Sequence, residues 1–467
     1  MSQPAGRLWA AAAAFGAIAA ALFALSPLTM VCVPIMWWGV GRAIADLRGG
    51  ERRWVGGALA IGVGLRVLCV LGVFLATRPA VEQFNVLFGD GRFAVDRSMW
   101  ILNDRSGVPI SPAAWITVFA NYGDTWYHHS LAAIQWFLGP APYALSLINV
   151  ACFEAFAILF HRLMRAAYGA TAGSAALIAV LFWPTIFVWS FSMLKESMQF
   201  VLAILAIAGT VWCVRSRSLG GRIGWLSAVA IALLILAKMR PGSGAMTAGA
   251  IAFGLLASAA TRQAWMAVVS LVAAALVVYV VATRPTVQAR VVLETRQALS
   301  LHLGHVRTPG ISYHAGDQRF YLEDPESPWS MTRIEGERFL ARSAAAFFLA
   351  PLPRHITSLS GWLLVPLNLA WYTLLVLAAV GIPAGVRRDR LVTALSAGYV
   401  LAGLIIIAPN SGNIGTLVRH RDMVVPFVIG LSSFGLVTIL AIASRLRRQP
   451  KTAPGRPMEG DGFNAAH

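Results

Sequence analysis

Charge is what this sequence has least of. Only 12% of its residues are charged, against roughly 25% in a soluble domain. Of its 38 basic residues, three are lysine: Lys195, Lys238 and Lys451. Cysteine is as sparse. Cys32, Cys69, Cys152 and Cys213 all lie in apolar runs, with no CxxC pair, so no disulfide framework is expected and the four read as packing residues. Alternating apolar and polar runs are missing too, which excludes a membrane-spanning barrel. What is abundant is hydrophobic length. Hydrophobic residues make up 58% of the chain, mean hydropathy is +0.67, and apolar runs of about 18 or more residues recur, each long enough to cross a hydrocarbon core of about 30 Å. The expected fold class is an all-α polytopic membrane protein.

The net charge of +18 sits in small basic groups between the apolar runs. That distribution orients a membrane protein rather than binding a polyanion, so no nucleic-acid partner is expected. Alternating the runs from a cytoplasmic N-terminus gives about twelve spans. The inner loops are Asp46–Arg53, His161–Arg165, Arg215–Arg222, the turn at Arg262, Arg387–Arg390 and the tail from Arg445. The outer segments are Arg78–Pro140, Met193–Glu196, Lys238–Gly242, Arg284–Thr357 and Asn410–Asp422. Residues 1–448 form the transmembrane domain, including outer loops 78–140 and 284–357, and 449–467 read as a disordered cytoplasmic tail. Fourteen of the 20 acids fall on the outer side of this map. In a bacterial inner membrane that side lacks ATP, so a transferase there needs a membrane-borne activated donor.

The outer segments carry helix signals. Ser111–Trp115 reads as a helix start, with serine capping and proline just inside. Residues Ser330–Phe348 have apolar side chains at helical spacing, as in a helix lying along the interface. Pro184 disturbs the span that leads to Lys195 and Glu196, and Thr416 is a candidate cap for the helix that follows Asn410.

The polar stretch from Phe84 to Tyr127 holds Asp90, Asp96, Asp104 and Asp124 among tryptophans and tyrosines. Carboxylates beside aromatic rings at a bilayer edge suit sugar handling; a solvated loop is the plainer reading of any one of them. Lys195-Glu196 sits at the outer junction of two spans, where ionisable side chains are costly unless they snorkel or serve a purpose. Lys238 and Arg240 put two cations in a tight outer turn, and Arg419, His420, Arg421 and Asp422 crowd one helix start. Cations on the outer side run against the topological bias, and a phosphate group would compensate them; an internal Arg–Asp network is the alternative. His302, His305 and His314 match no strong zinc spacing, so no metal is expected. Glu154, inside its span, reads as a buried hydrogen-bonded residue.

The order of these features resembles the GT-C membrane glycosyltransferases, with the dolichyl-phosphate-mannose protein mannosyltransferase-like and RgtABCD-like bacterial groups nearest. The likeness is carried by Gly89-Asp90 in a long outer loop, by Tyr127–Asn149, by the proline-containing span into WSFSMLKES, and by the Gly412–Arg421 element GNIGTLVRHR. The resemblance implies a GT-C-like bundle with outer-face loop helices and inverting transfer of a sugar from a polyprenyl-phosphate-linked donor to a glycan or lipid acceptor, with no cofactor. It implies that Asp90 serves as general base or acceptor-orienting acid, with Asp96, Asp124 or Glu196 as a second acid; Asp90, Asp124 and Glu196 are the catalytic candidates. Lys195, Lys238, Arg240, Arg419, His420 and Arg421 would bind substrate, helped by Tyr127 and His128. A polysaccharide polymerase or ligase, in which outer arginines dominate, and a lipid-linked sugar flippase or transporter are the alternatives.

Overall fold

Helices start and stop where backbone chemistry requires. Ser26 accepts a hydrogen bond from the Leu28 amide (3.2 Å) and separates α1 (Gln3–Leu25) from α2 (Pro27–Ala43). The computed structural model describes residues 3–76, 89–119, 125–139, 144–240, 242–322, 327–352, 356, 362 and 364–448. Asp124 and the tail 449–467 lie outside them. Described residues are helical with short turns, and the only extended pairing among them is an isolated bridge between Ser312 and Asn413.

Nine helices among the described residues are long and apolar enough to cross a membrane. Up to residue 283 these are α3 (Gly49–Ala76), α7 (Leu145–Tyr168), α10 (Glu196–Arg215), α11 (Leu219–Met239), α12 (Ser243–Ala260) and α13 (Ala264–Thr283). α16 (Leu364–Arg388), α17 (Arg390–Ile407) and α19 (Val425–Arg448) complete the set. The pair α8 (Ala170–Phe182) and α9 (Pro184–Phe191), bent by 62°, makes a tenth if taken as one broken span. The chain is built as a multi-pass helical membrane protein. Against the twelve spans expected, nine or ten are found among the described residues; α2, with 17 residues, falls below the ~20 that a bilayer core needs.

Between spans, the first polar segment folds as α4 (Gly89–Arg105), α5 (Pro112–Phe119) and α6 (Trp126–Leu138). Ser111 caps α5 through the Ala114 amide (3.2 Å), as its sequence suggests. The second polar segment folds as α14 (Pro285–Val306) and α15 (Arg333–Leu349), the latter opened by a reciprocal Thr332–Glu335 capping box. A short helix, α18 (Ile414–Asp422), precedes the last span. Its cap is Asn413, whose Oδ1 accepts from the Thr416 amide at 2.7 Å; Thr416 itself lies inside the helix and is not the cap.

The main core gathers α7, α8, α10, α17 and α19. α16 and α19 approach closely at Gly381 and Gly435. A Cβ on Gly381 would run into the Leu431 carbonyl, and one on Gly435 into that of Leu377. Small residues let backbones meet where no hydrophobic force drives helices together. Arg66, fully buried in α3, secures the bend in the broken span. Its guanidinium donates to the Leu181 carbonyl at the end of α8 (2.8 Å) and to Ser190 Oγ in α9 (2.5 Å), between the rings of Phe153 and Phe187. Pro184 cannot continue the α8 ladder, and Arg66 supplies a donor to a carbonyl left over there. At one end of the bundle Arg165 pairs with Glu51 and Arg215 with Asp389. Asp90, Glu196, Arg240 and Arg419 meet at the other. Each grouping joins loops that the charge pattern assigns to one side.

Candidate functional site

The site begins with a loop held from below. Asn149, buried in α7, donates to the carbonyls of Ser192 (2.5 Å) and Leu194 (2.8 Å), fixing the turn that presents Lys195 and Glu196 at the start of α10. Glu196 is fully buried. Its Oε1 accepts from Arg419 Nε at 2.6 Å and lies 3.5 Å from Arg240 Nη1, while its Oε2 has no hydrogen-bond partner among the described residues. The other face of the Arg419 guanidinium holds the exposed carboxylate of Asp90, in the first turn of α4. Burial opposes the charge on Arg419, but Glu196 and Asp90 hold its pKa above the ordinary value. Lys195 stands in the same field. Burial, reinforced by Arg240, pushes it down to about 8, with Glu196 and Asp90 opposing.

Four consecutive residues at the end of α18 go four ways. Arg419 meets Glu196 and Asp90. His420 is buried with Nδ1 2.7 Å from Ser411 Oγ. Arg421 donates to Asn368 Oδ1 (3.1 Å) and to the Ala350 carbonyl, over the ring of Trp371. Asp422 accepts from the indoles of Trp183 (3.2 Å) and Trp189 (2.7 Å) across the bent span. Burial raises the Asp422 carboxyl to about 7, opposed by those donors. A helix turns its side chains about 100° per residue, so these four neighbours meet different partners. Gly412 lets this segment lie against α14, because a Cβ there would strike the His302 carbonyl.

Beside the cluster lies a cleft of about 590 Å³. Arg240, His305 and His420 are among its polar lining, and Met246, Leu301 and Ile406 among its apolar walls. Burial lowers the pKa of both histidines, and Arg240 and Arg419 add to the effect, so their rings stand neutral beside the arginine.

No family model, curated protein or solved structure matches this chain. The chemistry of this end of the bundle therefore follows from its own groups.

Of the residues singled out in the sequence, Asp90, Lys195, Glu196, Arg240 and Arg419 come together, and His420 adjoins them through the cleft. Lys238 does not join: it is exposed and lines a separate depression. Arg421 faces α15 and α16 instead. Tyr127 is buried with its hydroxyl 3.4 Å from Asn149 Nδ2, and His128 is buried with Nδ1 2.9 Å from Thr125 Oγ1; neither presents a face to a substrate in this arrangement. Trp126, next to them, is exposed. Asp96 pairs with Arg92 on its own helix (3.7 Å). His302 is a buried structural histidine held by Ser411 and Tyr321. Sequence reasoning passed over Asn149, Gln199 and His305 as site residues. Gln199 Oε1 takes Arg240 at 3.5 Å, and its place three residues after Glu196, on the same helical face, was a signal that could have found it.

Proposed function

We propose that the chain transfers a sugar from a polyprenyl-phosphate-linked donor to a glycan or lipid acceptor at the outer face of a bacterial inner membrane, with both termini cytoplasmic. The observation that carries this reading is the relay Glu196–Arg419–Asp90, open to solvent at Asp90 and bordered by an apolar-walled cleft with Arg240 at its polar end. Glu196, being inaccessible, is a positioning residue that fixes both arginines. Asp90 is the accessible carboxylate and takes the proton of the acceptor hydroxyl as that oxygen bonds to the sugar's C1. The bond from C1 to the donor phosphate oxygen breaks with its electron pair on the phosphate, whose added charge Arg240 and Lys195 offset. The cleft's Met246, Leu301 and Ile406 suit the isoprenoid chain.

The test is Asp90→Asn, assayed in membrane extract with a labelled lipid-linked sugar. Transfer lost in a normally folded variant supports the reading. Unchanged transfer overturns it, and altered leaflet movement of the lipid in its place points to a flippase.

A further inference from the structure

Lys238, apart from the charged relay, lines a depression of its own. The depression measures about 510 Å³ and is lined by Arg105, Trp126, His129, Ser130, Ala133 and Lys238. None of these is acidic, and among the described residues Lys238 makes no ion pair. Arg105 is exposed, and its Nη2 lies 3.2 Å from His129 Nδ1, a second residue of the lining. Trp126 is 49% exposed and lines the depression with Arg105 and Lys238. Three elements build the depression, since Arg105 ends α4, Trp126 to Ala133 belong to α6 and Lys238 closes α11.

We propose that this depression binds an acidic saccharide, with its ring on Trp126 and its carboxylate between Arg105 and Lys238. An aromatic face suits the apolar side of a sugar ring, and separated cations suit carboxylates set along a chain. The location gives the proposal its second part, which rests on the transferase reading. Asp90 and Arg105 stand at opposite ends of α4, 15 residues apart, hence about 22 Å along the axis at 1.5 Å per residue. Lys238 is two residues from Arg240, which reaches Glu196. An acceptor held here with its growing end at Asp90 is an oligosaccharide of several units; a single sugar cannot reach both.

The experiment measures binding directly, with the full-length protein in detergent and a fluorescently labelled oligogalacturonate as probe. Saturable binding is expected, weakened tenfold or more in Arg105→Glu/Lys238→Glu and severalfold in Trp126→Ala, while a neutral maltooligosaccharide of equal length does not bind. A parallel arm compares nanodiscs of phosphatidylglycerol and phosphatidylcholine. No oligogalacturonate binding, or binding unchanged in the double variant, overturns the proposal. So does charge reversal that alters only association with phosphatidylglycerol, which makes the patch a headgroup anchor. Asp90→Asn separates this proposal from the transferase reading: binding retained with transfer lost supports both, and binding retained with transfer retained leaves the depression and removes the transferase.

Discussion

Arg419 is shared by two carboxylates of opposite exposure, and that asymmetry sets a measurable difference. The Asp90 side chain is 69% exposed and that of Glu196 is 0%. Water screens the first pair, and exposed ion pairs contribute about 0.2–1 kcal/mol. The second is desolvated, and removing one partner of a buried pair costs about 3–5 kcal/mol because the remaining charge is left uncompensated. Glu196→Gln strips the negative charge that both Arg419 and Arg240 face, while keeping an acceptor oxygen and the side chain's shape. A loss near the lower bound, about 3 kcal/mol, is expected, against less than about 1 kcal/mol for Asp90→Asn. The assay is unfolding in mixed micelles of the two single variants, of Arg419→Met and of the two double variants, read as double-mutant cycles. Coupling to Arg419 should be severalfold larger for Glu196 than for Asp90. Equal couplings, or a larger one for Asp90, would refute the picture of a buried anchor with an exposed working carboxylate.

Other outcomes follow from single contacts. Lys195, held down to about 8, loses its charge as pH rises through that value, so donor binding should decline on the alkaline side; Lys195→Arg, which stays charged, should remove the decline, and a decline that persists would point to another group. The same shift has a stability counterpart. Between about 8 and the unfolded value near 10.4, the unfolded chain holds more of this proton than the folded one, so the group's contribution to stability rises with pH and is lost as pH falls through about 8. Gly381→Ala should cost about 1–3 kcal/mol or more, read as a lowered Tm, because the Leu431 carbonyl it meets is backbone and cannot step aside. Asp422→Asn should cost about 1–3 kcal/mol in the same assay: two indoles can only donate, and an amide offers one acceptor where the carboxylate offers two. A variant as stable as the parent would show that the indoles do not depend on that carboxylate.

Much of the architecture is legible in the residue order. Apolar length forces helices across a bilayer, because an unsatisfied backbone cannot lie in hydrocarbon. Ser26-Pro27, Ser111-Pro112 and Pro184 mark boundaries because capping and the missing proline amide act over a few residues. The grouping of loops into two sets follows from charge and alternation, and the observed ion pairs respect it. Span number is less legible: nine or ten of the described helices pass as spans against the twelve expected, and α2, with 17 residues, is one that falls short.

The site itself was half visible. The sequence could show that cations and carboxylates collect in the same loops, but it could not say which would meet. Arg419 and Arg421 are two residues apart and serve different partners, because helical rotation turns one toward α10 and the other toward α16. Lys195 and Lys238 look alike as outer lysines, yet packing leaves one half-buried among charges and the other exposed beside Trp126. Tyr127 and Trp126 are adjacent, and one ring is inside while the other is out. Composition and periodicity are sums over many residues and survive any packing. The direction of one side chain depends on which helix lies beside it, and only the folded bundle decides that.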